Sequence, residues 1–579
     1  MDSEQQTAFE ILAATYVLTF YDEAQEDVVN LEERVRFGVN KQKLEQLARA
    51  PFRFSISDGE PLRMFVTGPA GAGKCELVFF FFLLVELVHC SDILSSAKLL
   101  EALLLYARKF SKNIGHEFTK NTIRVTAVTG AAATKIGGQT TCKELHLAKK
   151  GTHATDEEMQ AFLDTRLCII DEVSMGGIKD LLEPLNDKLG KFTSCQEMRC
   201  GKCALVFLGD FCQLPSFGDV IYEEENGILW EQAINCMVEL EGTHRFKDCP
   251  HMERIVPGFR RHGLTPEDRE ILNSRVVNGT TVKMPDVLKT KFASWTNVKR
   301  SSFNATVFKK YLERNHAGCT EHNIPRTAVV IKSNASWGKG GKNLTFNQRK
   351  ILFEECPEGR CKSMGNKYYD PLLCLFSDCH LMGNENTDVA NGVANGTTAL
   401  FKKLHLKPGA KLTPIKMHGH WVYSVDIDEV ESLELEWHQS KFMGRFRVKP
   451  CNVTCRVDFP VLMMGKKETL KVPIKLQCFP VVLNHATTGH KSQGKSMDQL
   501  VIVEWSKKDR AKWAYVVISR VRTLEGLFLL EQIPDEIDFT PDQKHLDMMD
   551  QMRSRVLASP EQIENLMEEY LHSSPYKIF

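Results

Sequence analysis

The sequence carries no excess charge of either sign: across 579 residues, Lys plus Arg number 74 and Asp plus Glu number 74. No global field draws such a chain onto nucleic acid, so any nucleic-acid site has to be a local groove. Long hydrophobic runs are also missing. The longest, Leu77 to Val85, is nine residues, against the roughly 20 that a membrane-spanning helix needs. The opening Met1-Asp2-Ser3-Glu4-Gln5-Gln6 is acidic and polar, with no basic stretch leading into an apolar core. A secretory signal is therefore not expected, and the chain reads as soluble and intracellular, with no membrane partner. A disulfide framework is missing as well, since the 18 cysteines are scattered and several sit inside apolar runs (Cys168, Cys374, Cys478), as buried reduced thiols do. Cys200 and Cys203 form one C-x-x-C with Cys195 nearby, and without a second pair at ligand spacing no zinc site is expected.

What is present is dense in chemistry. Phe65-Val66-Thr67 runs into Gly68-Pro69-Ala70-Gly71-Ala72-Gly73-Lys74, and a long apolar helix-like run follows. Strand, glycine-rich turn and helix in that order make a phosphate cradle. The glycines let consecutive backbone N–H groups point inward, and the helix offers its positive end to a polyphosphate. Lys74 is placed to reach the β- and γ-phosphates of ATP. The G-x-x-x-x-G-K-[ST] pattern then calls for a hydroxyl on Mg²⁺, and this chain has Cys75.

Ahead of the cradle, Ser3 to Leu12 reads as a capped amphipathic helix, with Gln6 three residues after the Ser3 N-cap. An amide there can cap the helix or read an adenine. Beyond residue 121 short apolar strands end in polar tips. Ile123 to Val128 leads to Thr129-Gly130-Ala131-Ala132-Ala133, Leu167 to Ile170 to Asp171-Glu172, and Leu205 to Leu208 to Gly209-Asp210. Leu500 to Val503 and Val516 to Ile518 repeat the theme, predicting parallel sheets covered on both faces, with ligands at the strand tips. Residues 246–290 read as mostly helical, 406–476 as a small β-rich insert with alternating short runs, and the residues after Pro541 as helical.

Asp171 and Glu172 suit metal holding and polarisation of an attacking water, and Gln213 in Gly209-Asp210-Phe211-Cys212-Gln213-Leu214-Pro215 suits a γ-phosphate sensor. Arg245 and Arg520 stand where elements end, as guanidiniums that neutralise a transferring phosphoryl group would.

Seven motifs in one order carry a resemblance: Gly68 to Lys74, Thr129 to Ala133, Gly137-Gly138-Gln139-Thr140-Thr141, Asp171-Glu172-Val173-Ser174-Met175, Gly209 to Pro215, His490-Lys491-Ser492-Gln493-Gly494 and Tyr515 to Arg522. In this order the chain resembles the Pif-type helicases of superfamily one, especially forms similar to the helicase part of Helitron transposons. The resemblance runs from Gln5-Gln6 to about residue 530.

It implies an α/β fold of two RecA-like parallel-sheet motor domains, with ATP between them and a small β-barrel insert in the second. The expected boundaries are 1–245, a helical connection at 246–290, 291–405, the insert at 406–476, 477–540 and a helical tail at 541–579. It implies an enzyme that hydrolyses Mg-ATP, moves 5′→3′ on single-stranded DNA and unwinds forked duplex in repair, recombination or telomere maintenance. It would act as a monomer or a DNA-dependent oligomer, in the nucleus first and the mitochondrion second.

Carried over residue by residue, Gln6 (with Gln5 as rival) matches the adenine reader and Lys74 the phosphate-loop lysine. Asp171 matches the Mg²⁺ aspartate, Glu172 the catalytic base, Gln213 the sensor, and Arg245 and Arg520 the arginine fingers. Thr129, Gly130, Gly138, Thr140, Thr141, Thr296, Asn297, His490, Lys491 and Gln493 fall in segments that in such helicases face DNA or couple it to ATP.

Two departures stand out. Ser216 replaces a usual second proline, and the thiol of Cys75 is a soft ligand offered to a hard ion. Residues 75–97 carry no Lys or Arg, and Lys98 to Phe110 already resembles the helix that should follow the cradle. One reading is a translated intron: Cys75-Glu76 encoded TGT-GAG offers a donor, Ser96-Ala97 encoded TCA-GCN an acceptor, and splicing restores a serine codon. The other is a genuine insertion whose phenylalanines lie in the core. Two rival functions follow, an ATPase that translocates without unwinding and a transposon-derived DNA-binding chain that cannot hydrolyse ATP.

Overall fold

The computed structural model describes residues 61–70 and 72, most of 116–555 and scattered positions before them; 20–60, 73–102 and 556–579 lie outside the described residues, as do shorter stretches. Gln6, Gly71, Gly73, Lys74, Cys75 and the 75–97 run are among those outside. The chain divides into two compact units, Met1–Leu264 with Asp538–Phe579, and Thr265–Ile537.

The first unit is built on a six-stranded parallel sheet. Its strands are β1 (Arg63–Thr67), β2 (Ile123–Ala127), β3 (Gln139–Thr140), β4 (Leu167–Asp171), β5 (Leu205–Leu208) and β6 (Cys236–Glu239), in the order β3-β2-β4-β5-β1-β6. β1, β4 and β5 are buried along their whole length, which is why they read as continuous apolar runs. Beneath the sheet Phe65 meets Phe211 at 5.4 Å and Trp230 at 5.3 Å, and Phe207 meets Trp230 at 5.3 Å. Burying each such ring contributes about 1.5–3 kcal/mol. The helix Gln543–Arg555 returns to this core through Met548, Met549 and Met552.

The expected connection at 246–290 is divided between the units. The helix Pro250–Arg261 belongs to the first, and Pro266–Asn273 to the second. Thr265 starts the latter by accepting from the Asp268 backbone, with Pro266 in the first turn where a missing N–H costs nothing. The stretch 274–290 is made of turns rather than helix.

In the second unit, β7 (Lys291–Ser294) and the helix Asn297–Asn315 precede a long antiparallel region. Its first strands are β8 (Ala328–Lys332), β9 (Asn334–Trp337), β10 (Cys361–Ser363), β11 (Tyr368–Tyr369), β12 (Leu372–Phe376) and β13 (His380–Gly383). β14 (Thr398–Leu406), β15 (Thr413–Met417), β16 (His420–Asp426), β17 (Val430–Trp437) and β18 (Arg445–Val448) follow. β19 (Cys451–Met463), β20 (Lys466–Cys478) and β21 (Val481–Leu483) complete it. The chain then returns to β7 with β22 (Ala486–Thr488), β23 (Leu500–Ile502) and β24 (Leu527–Leu529), giving a parallel sheet ordered β22-β7-β23-β24.

The α/β class with parallel sheets is as expected. The β-rich part is larger than expected, since the limits 406 and 476 fall at the end of β14 and inside β20. Its strands form three sheets, β11-β10-β19-β20-β9, β12-β8-β16-β15 and β18-β17-β14-β13-β21, and the pairings among the described residues leave each one open-edged. One hydrophobic core runs from Phe292, Val501 and Phe528 into Val330, Leu375, Leu433 and Trp437, so most of the region is continuous with the parallel sheet. The hairpin β19–β20 has a core of its own. Val516 to Ile518, expected as a strand, ends the helix Arg510–Ile518, where every residue from Trp513 on is buried. A helix buried on all sides has the same continuous apolar signature as a buried strand.

Candidate nucleotide site and nucleic-acid-facing segments

In parallel register Ala127 stands beside Asp171, Ile170 beside Phe207, Val66 beside Leu208 and Thr67 beside Glu239. The carboxyl tips of β1, β4, β5 and β6 therefore share one edge, bringing Gly68, Asp171, Glu172, Asp210 and Gln213 together. A Cβ at Gly68 would come within 2.8 Å of the Leu240 carbonyl oxygen, so only glycine lets the start of the cradle lie this close to β6. Pro69 and Ala70 follow, and the Ala72 N–H donates to the Pro69 carbonyl at 3.1 Å. Gln5 is buried, and its amide donates to the Ala72 carbonyl at 3.4 Å, which places Gln5 on the cradle.

Asp171 is 2% exposed, and its Oδ1 accepts from the Glu172 backbone at 2.8 Å. Glu172 sits in the left-handed region at φ 55, a sharp turn that carries its side chain off the strand axis while leaving it partly exposed. Gln213 is buried, and its Nε2 donates to Asp210 Oδ2 at 3.2 Å. Its Oε1 has no hydrogen-bond partner among the described residues. Turning the amide over would set that oxygen against the Asp210 carboxylate, so the group offered is an acceptor, suited to a water. A buried hard oxygen donor at Asp171 and a water acceptor at Gln213 fit a hydrated Mg-polyphosphate.

Asp210 is held in turn by Arg260, a residue that sequence reasoning missed. The Arg260 guanidinium meets Asp210 at 2.8 Å, Glu239 at 3.2 Å and the Thr67 hydroxyl at 3.5 Å, and its side chain is 7% exposed. Arg553 meets Glu239 at 2.8 Å from the returning helix. Burial pushes the Glu239 carboxyl up, but the two guanidiniums outweigh it and hold the group below the usual carboxylate range. Arg245, in the short turn His244–Phe246, is partly buried, with its guanidinium 6.0 Å from the Phe246 ring.

The segments expected to face DNA divide by burial. Thr129 caps the helix Gly130–Lys135 by accepting from the Ala132 backbone, and Gly130 opens that helix. Gly138 packs where a Cβ would lie 2.1 Å from the Val125 carbonyl oxygen. Thr140 is partly exposed, whereas Thr141 is fully buried, with its hydroxyl 3.1 Å from that of Thr126, so this side chain packs between strands.

In the second unit β7 and β22 run side by side, with Ser294 level with Thr488, so Thr296-Asn297 and Gly489-His490-Lys491 leave adjacent strand tips. Thr296 caps its helix by accepting from Lys299 and donates to Glu504 at 3.2 Å. Asn297, His490 and Gln493 are partly exposed. Lys491 donates to the Asn395 side chain at 2.6 Å, and burial, with Lys367 and Arg300 adding like charge, lowers its ammonium to about 8. Arg520, 1% exposed, donates to the Val516 carbonyl and the Ser519 hydroxyl, both at 2.7 Å.

Among the described residues no helix is long and apolar enough to cross a membrane, and no group of three or more His, Cys, Asp or Glu is placed to hold a metal ion. Cys195, Cys200 and Cys203 are buried free thiols.

No protein-family model matches the chain. It is similar to the ATP-dependent DNA helicase Pif1 of Bdellovibrio bacteriovorus, 25% identical over 498 residues, covering 83% of this chain and 87% of that relative. It is also similar to the ATP-dependent DNA helicase RRM3 of Saccharomyces cerevisiae, 29% identical over 464 residues, covering 72% of this chain and 60% of that one. In fold it matches Bacteroides Pif1 bound to single-stranded DNA, with a TM-score of 0.53 at 17% identity, covering 90% of this chain and 98% of that one. Bacteroides Pif1 with ADP-AlF3 and single-stranded DNA matches at a TM-score of 0.52 and 18% identity, covering 86% and 94%. With its motifs in order and the parallel-sheet fold beneath them, the chain is homologous to the Pif1 helicases and shares their fold.

Proposed function

We propose that this chain hydrolyses ATP to move 5′→3′ along single-stranded DNA and to unwind forked duplex, in genome maintenance in the nucleus or the mitochondrion. The observation that carries this reading is the meeting of Gly68, Asp171, Glu172 and Gln213 at one sheet edge. Polarity and pathway rest on the family alone.

The substrate polyphosphate would lie on the cradle that begins at Gly68, with Lys74 on its terminal phosphates and Gln5 or Gln6 at the base. Asp171 would hold Mg²⁺, which supplies charge neutralisation on the phosphoryl oxygens. Glu172 takes the proton of the attacking water, and Gln213 accepts a hydrogen bond from that water, so loss of the terminal phosphate reaches Asp210 and Arg260 through the Gln213 amide. Arg245 would supply positive charge to the transferring group, and for Arg520 that role rests on the motif resemblance alone. Thr129, Thr140, Thr296, Asn297, His490, Lys491 and Gln493 contribute hydroxyl, amide and cationic donors to a strand's phosphates, a grip that needs no net positive charge.

The test is strand displacement on duplexes tailed at one end. ATP-dependent unwinding of a 5′-tailed duplex, with a 3′-tailed one left paired, is expected; a 3′ preference or an absence of displacement would sink the proposal. Cys75 favours a second reading, a DNA-binding chain with little turnover. ATP turnover with and without single-stranded DNA separates the two, and recovery in Cys75→Ser would assign the defect to the thiol. Sequencing the mature transcript across codons 75–97 decides between an intron and an insertion.

A further inference from the structure

The hairpin β19–β20 stands apart from the phosphate chemistry and carries a sulfur pair. Cys451 opens β19, Cys478 closes β20, and the two stand directly opposite each other in register. Opposed residues of an antiparallel pair have Cα atoms about 4.5 or 5.5 Å apart, inside the window of about 4.4–6.8 Å that a disulfide requires. Both are free thiols.

Their surroundings differ. Cys478 is 2% exposed in the hairpin core with Cys455 and Leu476, whereas Cys451 is partly exposed at the strand end. The Cys478 thiol beside it lowers the Cys451 thiol below its ordinary value, ahead of the opposing effects of burial and Glu385, and Lys367 adds to the lowering. Glu385 is already engaged by the Lys367 ammonium and the Tyr369 hydroxyl. Cys451, with burial, pushes Cys478 strongly upward. Cys168, Cys200, Cys203, Cys236, Cys379 and Cys455 are all pushed upward by burial. A sulfur that lies near an ammonium and meets solvent has the environment of a reactive thiolate, and a buried cysteine directly opposite it in register is the partner that resolves its oxidation.

We propose that Cys451 and Cys478 form a peroxide-sensitive modification site that closes to a disulfide at the base of the hairpin. The Cys451 thiolate attacks one oxygen of hydrogen peroxide, the O–O bond breaks, and Cys451 becomes a sulfenic acid as hydroxide leaves. The Cys478 sulfur then attacks the sulfenic sulfur, the S–S bond forms, the S–O bond breaks, and the Cys478 proton leaves with the oxygen as water. Two thiols lose two electrons in total, and the peroxide is reduced to two waters.

The test treats the full chain with graded hydrogen peroxide, caps the remaining thiols and maps the peptides by mass spectrometry. The Cys451–Cys478 linked peptide is expected first, at a dose that leaves the buried thiols Cys168, Cys200, Cys203 and Cys236 reduced, since a lowered thiol holds a larger thiolate fraction. Cys478→Ser should stop at a Cys451 sulfenic acid that a cyclic 1,3-diketone captures, and Cys451→Ser should leave Cys478 reduced. Three results would overturn the proposal: no linked peptide at doses that oxidise other thiols, equal formation in guanidinium-unfolded protein, or Cys478 oxidation undiminished in Cys451→Ser. The linked-peptide measurement needs only the unaltered chain, so a variant that fails to fold does not remove the test.

Discussion

The two units handle buried charge in opposite ways. In the first, the Arg260 guanidinium is matched by the carboxylates of Asp210 and Glu239, and Glu239 by Arg553, so each charge faces an opposite one. In the second, Lys291 and Lys491 donate to the neutral oxygens of Asn484 and Asn395, and burial lowers their ammonium groups to about 7 and about 8. A paired network holds the charge beside these strand tips in a fixed arrangement. A buried amine with a lowered titration point ties the second unit's stability to pH.

Four measurements can break or sharpen this contrast, from the largest effect to the smallest. Glu172→Gln should lower DNA-stimulated ATP turnover about a thousandfold, the weight of a general base, with nucleotide affinity retained; phosphate release beside equilibrium nucleotide binding reads both. Loss of affinity instead would mean that Glu172 serves the charge network.

Arg260→Leu leaves the buried Asp210 without its ionic partner and should cost the first unit about 3–5 kcal/mol in urea unfolding. Adding Asp210→Asn should recover part of that loss. Independent effects would show that the pair is not coupled.

The third measurement concerns pH. Lys291 unfolds to an ordinary lysine, titrating near about 10.4, while in the fold it titrates at about 7. Between those values the unfolded chain binds more protons, so stability rises with pH through the window and is flat below about 7. Melting temperatures across the window should show this slope, and Lys291→Met should flatten it. An unchanged slope would place the titration elsewhere.

The smallest effect is expected at a helix end, outside the Arg260 network. Thr155 and Glu158 form a reciprocal cap on the helix Asp156–Leu163, and Thr155→Ala should cost about 1 kcal/mol. A loss as large as that of Arg260→Leu would remove the special status of the network.

Legibility in the sequence follows the same division. The strands ending at Thr67, Asp171 and Leu208 are readable because both sheet faces are covered and their apolar runs are continuous. The helix Arg510–Ile518 was misread for that same reason. Arg260 was invisible, because Asp210 lies 50 residues away and Thr67 193, and one arginine on an amphipathic helix has no local mark. The β-rich region was recognised only where alternation is clean, as at Trp421 to Val425. β8 and β12, buried in the shared core, gave no sign that they belonged with it. At the candidate site the residue types were legible, while the orientation of the Gln213 amide required the Asp210 carboxylate beside it.

The helix Gln543–Arg555 sits in the first unit, although it is encoded after the whole of the second. During synthesis the residues that leave the ribosome earliest cannot close their core until Met548, Met549 and Met552 arrive, after Thr265–Ile537 has already been made. His545, 3.3 Å from Cys212 in the sensor loop, and Arg553, on Glu239, arrive with them. A premature stop codon anywhere in the second unit would therefore injure the first one, at the loop that carries Cys212 and Gln213.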